Sequence, residues 1–301
     1  MQSLRLFIRV SRPLFLVGAA LVYALGAGIA HYLGVTVDWG LYFLGQFWVT
    51  MMQLSAHFLN EYYDAPADVE NPNRTPFTGG SGDVGPDRLP RATVLFAALA
   101  CLAVVASLTV LILSQAQPSP ETLLILVLIF LGGFFYSVPP VRLVSSGYGE
   151  LTTSIIVANL VPAFAYLIQA GELHRLVAMS TFPLTALHLA MMLAFELPDY
   201  ANDIKFEKHT LMVRLGWQRG MRLHNLLILS AYLLLGLAVT LGMPFSLAWP
   251  AFLTLPLGLL QIWQMRRIAD GAKPNWRTIT LVPVVLFAAM AYLLTFAYWM
   301  N

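Results

Sequence analysis

Nine long stretches of the sequence carry almost no charged residue, and this pattern constrains the fold more than any other feature. A helix needs about 20 residues to cross a hydrocarbon core of about 30 Å. The stretches are continuously apolar rather than alternating, which is typical of membrane helices and not of membrane β-strands. The sequence therefore predicts an all-α, polytopic membrane protein with a bundle of nine transmembrane helices. The predicted spans are 13–33, 41–62, 92–114, 121–138, 150–170, 176–197, 224–243, 246–264 and 279–299.

The composition excludes most classes of soluble protein. Charged residues make up 11% of the chain, whereas an ordinary globular domain has about 25%. A cytosolic enzyme, a disordered regulator and a nucleic-acid binder are excluded on this ground. The net charge of +2 indicates no polyanionic partner, so we expect no nucleic acid. The single cysteine, Cys101, excludes a disulfide framework.

The distribution of basic residues predicts the orientation in the membrane. With nine spans, sixteen of the seventeen Lys and Arg residues lie on one side, and Arg175 alone lies on the other. The positive-inside rule then predicts an integral protein of the cell (inner) membrane, with a cytoplasmic N-terminus and Asn301 outside. Residues 1–12 are expected to form a short interfacial helix with their arginines on one face. The alternative is a cleaved signal peptide, whose apolar region is usually shorter than this one.

Most acidic residues lie in or beside two long loops on the predicted cytoplasmic side, 63–91 and 198–223. Long loops on one face of a compact bundle usually carry function, so we expect a single membrane-embedded domain over 1–301 with its active site at these loops. The acidic residues concerned are Glu61, Asp64, Asp68, Glu70, Asp83, Asp87, Glu196, Asp199, Asp203 and Glu207.

Two short acidic motifs share one spacing. Asn60, Asp64 and Asp68 are four residues apart, and Asp199 and Asp203 repeat that interval, so a helix would stack each set on one side. The repetition suggests an internal duplication. The alternative is that these acids only solvate helix ends.

Paired carboxylates at a membrane surface suit a hard divalent cation. Mg²⁺ is usually held by one or two carboxylates and completes its shell with water and substrate phosphate, which predicts a diphosphate ligand. Arg74, Lys208 and Arg214 are nearby donors for the remaining phosphate charge. Pro66 and Pro198 interrupt the motifs, so we expect Asp68 to hang from a loop rather than a helix.

Several motifs together resemble the UbiA superfamily of intramembrane prenyltransferases. They are Arg12-Pro13, NEYYDAPAD at 60–68, RTPFTGGSG at 74–82, YSVPP with the following Arg142 and GYGE at 136–150, and DYANDIKFEKHTLMVRLG at 199–216. Glu61 and Glu196 depart from the family pattern, which has Asp or Asn more often at these positions. The roles of Glu196 and Arg214 stay open.

The resemblance implies a Mg²⁺-dependent transfer of a prenyl group from an allylic polyprenyl diphosphate to an aromatic acceptor. It implies that Asn60 and the aspartates of the two motifs bind the metal ion and the diphosphate. It also implies that Arg74 and Lys208 contact phosphate oxygens. It implies that Tyr136 faces the developing carbocation and that Arg142 binds diphosphate or acceptor. The implied catalytic residues are Asp64, Asp68, Asp199, Asp203 and Tyr136, and the implied metal ligands are Asn60, Asp64, Asp68, Asp199 and Asp203.

Asn159 and His188 lie at mid-depth in the predicted spans and His57 lies one turn before Asn60, and polar groups in such places usually face a cavity or a partner helix. His57, Asn159 and His188 are therefore candidates for the substrate pocket, and a structural hydrogen bond is the alternative for each. Phe134 and Phe135, beside Tyr136, can stabilise a cation or simply pack.

The acceptor is the least constrained part of the prediction. The motifs look most like the branch that prenylates 1,4-dihydroxy-2-naphthoate in menaquinone biosynthesis. The same chemistry on 4-hydroxybenzoate, homogentisate, chlorophyllide, haem or a glycerol phosphate ether stays an alternative. A secondary transporter is a distant alternative, because no charged residue lies deep in any span, where transporters bind their substrates.

Overall fold

The computed structural model describes residues 2–85, 88–116 and 118–301, so Asp87 lies outside the described part. Within it the chain is almost entirely helical and forms no β-strand, which confirms the all-α prediction. One π-helical turn, Ile156–Leu160, joins α6 to α7. The helices are α1 (Gln2–Val10), α2 (Pro13–Tyr32), α3 (Trp39–Glu70), α4 (Arg91–Gln115), α5 (Pro120–Phe135), α6 (Gly149–Ile155), α7 (Val161–Ala170), α8 (Arg175–Lys205), α9 (Leu211–Leu215), α10 (Trp217–Thr240), α11 (Phe245–Phe252), α12 (Leu255–Ala269) and α13 (Trp276–Met300).

The structure does not confirm the predicted number of membrane spans. In the described ranges, six helices are long and apolar enough to cross a membrane, and the pair α11–α12 makes a seventh if it counts as one span. That pair is bent by 40° where Pro250 and Pro256 interrupt the run. A helix or helix pair lies at each of the nine predicted positions, but α5 is only 16 residues long, and nine spans are not confirmed. The chain is an integral membrane protein.

The helices pack into one bundle whose outer surface is apolar. The core includes Trp48, Phe164 and Leu184, all nearly inaccessible to solvent. Large apolar side chains also cover the outside: Phe96 is 70% exposed and Leu233 is 73% exposed. A soluble monomer rarely exposes such a surface, and lipid is the solvent that suits it.

The two ends of the bundle differ in chemistry. At one end the short loops meet, where the Asp38 amide donates to Gln169 Oε1 at 2.8 Å and Arg175 lies beside Gly242. At the opposite end lie the two long connections, 71–90 and 206–216, and all the acidic residues of both motifs. The bundle therefore has one polar end, which carries the acidic residues of both motifs.

Pro66 does not end α3, and the expectation that Asp68 hangs from a loop is wrong. A proline inside a helix leaves the carbonyl four residues earlier without its usual donor. Here that carbonyl belongs to Tyr62, and the Arg91 guanidinium donates to it at 2.8 and 3.2 Å. Because this donor replaces the lost hydrogen bond, the helix continues to Glu70 and carries Asp68.

The sequence analysis expected the N-terminal arginines to share one face, and in the structure they do not. The chain forms the short helix α1, but Arg12 follows it in a left-handed conformation with a φ of 51°. This turn directs its guanidinium into the protein, toward Glu61, whereas Arg9 pairs with Asp83 near the surface.

Candidate active site

Side-chain contacts join the polar ends of α3 and α8. Asn202 Nδ2 donates to the Ala67 carbonyl at 3.1 Å, and Asn73 Nδ2 donates to the Pro198 carbonyl at 3.2 Å. At the rim, Lys205 forms an ion pair with Glu70. These contacts place the two acidic motifs, which are more than 130 residues apart in sequence, side by side.

Asp64 is the centre of a charged cluster. Its carboxylate accepts hydrogen bonds from Asn60 Nδ2 at 3.0 Å, Arg142 at 3.1 Å and Lys208 Nζ at 2.9 Å. Asp64 is only 4% exposed, so the two cations offset a charge that burial would otherwise make costly. The structure therefore brings together Asn60, Asp64, Arg142 and Lys208, four residues from the predicted site.

Lys208 lies within electrostatic reach of both acidic motifs. Burial alone would lower the pKa of its ammonium, but Asp64, and then Asp68 and Asp203, raise that pKa above the ordinary lysine value. Lys208 therefore stays charged at neutral pH. Its backbone N–H donates to the Asp203 carbonyl at 2.8 Å, which fixes the residue against the second motif.

Asp199 is held by residues of the 71–90 connection. Asn71 Nδ2 donates to Asp199 Oδ1 at 2.7 Å. The Thr78 hydroxyl lies between Asp199 Oδ2 and the Phe195 carbonyl, and it can donate to one of them at a time. These two partners were not identified from the sequence, although both lie in or beside the NPNRTPFTGGSG stretch.

Asp68 sits against a glycine-rich turn. A Cβ added at Gly80, whose φ is +66°, would lie 1.9 Å from Asp68 Oδ2, so only glycine allows this approach. Asp68 Oδ2 is buried and has no hydrogen-bond partner among the described residues. Arg74 donates to the Asp68 backbone carbonyl at 2.9 Å and so helps to hold this segment.

A further ion pair, between Arg12 and Glu61, was also missed at the level of sequence. Arg12 donates to Glu61 Oε1 at 2.6 Å and reaches Asn60 Oδ1 at 3.3 Å. The Ser81 N–H and hydroxyl donate to Glu61 at 3.0 and 2.6 Å. Glu61, 1% exposed, thus ties α2 and the glycine-rich turn to the first motif. The unusual Glu in the motif was the available signal.

An aromatic row lies one helical turn deeper than the acids. Phe195, four residues before Asp199, stacks on Phe77 with ring centroids 6.3 Å apart and meets Phe15 edge-on at 6.2 Å. Tyr136 follows α5 within electrostatic reach of Asp64 and Arg12. Phe134 and Phe135, beside it in sequence, pack edge to face on each other with ring centroids 5.2 Å apart.

His57, Asn159 and His188, the polar candidates for the pocket, each form a structural hydrogen bond. His57 Nδ1 lies 3.0 Å from the Ser11 carbonyl, and His188 Nδ1 lies 3.0 Å from the Ser154 hydroxyl. Asn159 Nδ2 donates to the Thr181 hydroxyl at 2.8 Å. These contacts match the structural alternative for each residue, and a role in the pocket stays a prediction.

The donor set fits a divalent cation that is shared with a phosphate ligand. Among the described residues, no three His, Cys, Asp or Glu side chains lie close enough to hold a metal ion by themselves. Mg²⁺ needs only one or two carboxylates when substrate phosphates complete its shell. The unpartnered Asp68 Oδ2, beside Gly80, is an oxygen of the required kind.

Comparison with known proteins identifies several that are similar to this chain. A naphthoate enzyme of Bacillus subtilis (strain 168), 1,4-dihydroxy-2-naphthoate octaprenyltransferase, is 24% identical over 250 residues, which cover 82% of this chain and 78% of the relative. A UbiA homologue from Archaeoglobus fulgidus, solved with GPP and Mg²⁺, has a TM-score of 0.69 at 17% identity and covers 98% of this chain and 100% of its own.

A digeranylgeranylglyceryl phosphate synthase structure also has this fold, with a TM-score of 0.65 at 16% identity over 100% of this chain and 98% of that one. The model of the UbiA prenyltransferase family matches residues 19–290, which include every residue of both acidic motifs. The chain belongs to the UbiA prenyltransferase family and is a membrane prenyltransferase.

Proposed function

We propose that this prenyltransferase transfers the prenyl group of an allylic polyprenyl diphosphate to 1,4-dihydroxy-2-naphthoate, an aromatic acceptor, in menaquinone biosynthesis. The observation that carries the proposal is the meeting of both acidic motifs around Lys208 at the polar end of the bundle. The naphthoate relative favours this acceptor over the others that the sequence analysis left open.

The charged residues account for departure of the diphosphate. Lys208 and Arg142, both on Asp64, lie where they can neutralise the negative charge that develops on the leaving group. Mg²⁺, bound through carboxylates of the two motifs, would supply further electrostatic stabilisation of that charge. The candidate ligands are Asn60, Asp64, Asp68, Asp199 and Asp203, with Arg74 as a further phosphate donor.

The apolar interior accounts for the fate of the allylic cation. A cation formed beside the diphosphate needs a site without water, and a bundle surrounded by lipid excludes water. Phe195, Phe77 and Tyr136 offer aromatic faces near the acids. The electron-rich carbon of the acceptor would then attack the cation.

The proposed topology follows from the same geometry. The acidic end carries the long connections and the basic residues, so we place it and the N-terminus in the cytoplasm and Asn301 outside. Cysteine accessibility tests this: a membrane-impermeant thiol reagent added outside intact cells should label a cysteine at Glu172 and not one at Arg219.

Product mass spectrometry tests the reaction. The purified protein is given a polyprenyl diphosphate, Mg²⁺ and the candidate acceptors in turn. Prenylated naphthol with loss of CO₂ supports the proposal, and product with another acceptor alone contradicts the naphthoate assignment. Asp64→Asn and Asp199→Asn should abolish turnover in folded protein, whereas the exposed Asp270→Asn should not. Full turnover in both motif variants would contradict the assigned site.

A further inference from the structure

Two glutamates outside the acidic motifs are buried together. Glu150, at the start of α6, is 3% exposed, and Glu196, in α8, is 8% exposed. Adjacent backbone N–H groups, those of Leu211 and Met212, donate to Glu150 and Glu196 at 2.9 Å each, so the two carboxyl groups lie side by side. Within the described part of the chain, neither pairs with a cation, whereas Glu61 and Asp64 both do.

One carboxyl oxygen of this pair has no partner other than the neighbouring carboxyl group. Glu150 Oε2 is buried and accepts no hydrogen bond from any described residue. The charged groups that act most strongly on Glu196 are Glu150 and Asp203, both acidic, and the Tyr136 hydroxyl is a further titratable group nearby. Two adjacent buried carboxylates cannot both be ionised without a large cost, and a single proton between them removes it.

Two other oxygens of the pair hold the helix α9. Glu150 Oε1 accepts from the Leu211 N–H at 2.9 Å, and Glu196 Oε2 accepts from the Met212 N–H at 2.9 Å. These N–H groups have no partner within the helix because they belong to its first turn. With only five residues, α9 is too short to be stable without such contacts.

The position of α9 contributes, together with the Asp203 carbonyl, to where Lys208 lies. Lys208 is two residues before Thr210, the residue that caps α9, and its ammonium reaches Asp64 across the site. Between them, the His209 N–H donates to the Ser145 carbonyl at 3.2 Å. A shift of α9 away from α6 and α8 would therefore move Lys208 away from Asp64.

We propose that Glu150 and Glu196 share one proton, and that this pair positions α9 and, through it, the Lys208 ammonium. Both are positioning residues, because they act through Lys208 and not on the substrate. The link to diphosphate binding rests on the proposed function, whereas the shared proton does not.

Infrared difference spectroscopy tests the proton directly. In Glu196→Gln, the amide carbonyl can still accept from Met212 and the amide N–H can donate to Glu150 in place of the proton. We expect the spectrum of wild type minus Glu196→Gln, at neutral pH, to contain the carbonyl band of one protonated carboxyl group. The exposed Glu172→Gln is the matched control and should give no such band. Absence of the band from the Glu196→Gln difference would overturn the shared proton.

Kinetics test the positioning role. Glu196→Gln and Glu150→Gln should keep the KM for prenyl diphosphate within about twofold of wild type, because the amide preserves both contacts. Glu196→Ala should raise that KM roughly fivefold to tenfold, with a smaller change in kcat, as expected for loss of a helix-capping acceptor. A kcat that falls equally in the Gln and Ala variants, or a KM that Ala leaves unchanged, would overturn positioning. If prenyl diphosphate were not the substrate, wild type itself would show no turnover, while the infrared result would still decide the proton.

Discussion

Replacement of Lys208 by methionine should destabilise the fold as well as weaken substrate binding. The Lys208 side chain is 13% exposed and its partner Asp64 is 4% exposed. Methionine fills a similar space but leaves the Asp64 carboxylate without its ammonium partner. The penalty arises because a buried charge then lacks part of its compensation.

The magnitude follows from the contacts that remain. Removal of one partner from a buried ion pair costs roughly 3–5 kcal/mol. Here Asp64 keeps its hydrogen bonds from Asn60 and Arg142, so we expect a loss of about 2–3 kcal/mol in the free energy of unfolding. The double variant Asp64→Asn/Lys208→Met removes the buried carboxylate charge as well. It leaves only the Arg142 guanidinium without a carboxylate, and that side chain is 38% exposed, so this variant should lie within about 1 kcal/mol of wild type.

A double-mutant cycle in detergent micelles measures this coupling, with denaturant unfolding as the assay. Lys205→Met is the matched control, since Lys205 lies three residues earlier and pairs with Glu70 through side chains that are 62% and 52% exposed. It should cost less than about 1 kcal/mol. Equal losses in Lys208→Met and Lys205→Met, or a double variant as unstable as Lys208→Met, would refute the reasoning.

Three further predictions concern the same site. Gly80→Ala should lower kcat/KM by about a hundredfold in steady-state assays, because the added Cβ would displace Asp68. Gly18→Ala is the control, since a Cβ added there has no atom within 4 Å, and it should leave kcat/KM unchanged. Equal rates in the two variants would contradict the prediction. The stability that Lys208 contributes, measured as the difference in unfolding free energy between wild type and Lys208→Met, should be constant from about pH 6 to about pH 9. It should fall only as the pH rises through the raised pKa of Lys208. A loss near neutral pH would contradict the raised pKa. Chelation of divalent cations should abolish product formation and added Mg²⁺ should restore it, and turnover that persists in chelator would contradict a metal requirement.

Much of the site could be predicted from the sequence because its acids follow a local rule. A spacing of four places Asn60 and Asp64 on one side of a helix wherever that helix lies, and their contact at 3.0 Å follows. The same local reasoning failed at Pro66. The proline breaks a hydrogen bond that only a distant residue, Arg91, replaces, and no local pattern indicates that donor.

The count of spans shows the same limit. Apolar composition predicts where helices form, but α5 is apolar and short, and α11–α12 is bent, so length and packing decide whether each crosses the membrane. Likewise, His57, Asn159 and His188 were identified as polar residues in apolar surroundings, and only the packed structure supplies their partners.

The sequence by itself determined that this is a helical membrane protein with two acidic motifs at one end, because hydropathy and helical spacing are local properties of the chain. Only the tertiary structure decided which cation meets which acid. Lys208 reaches Asp64 across 144 residues, and Arg12 reaches Glu61 across 49. Such pairs form when helices far apart in sequence pack together, and the energy of each pair depends on how deeply that packing buries it.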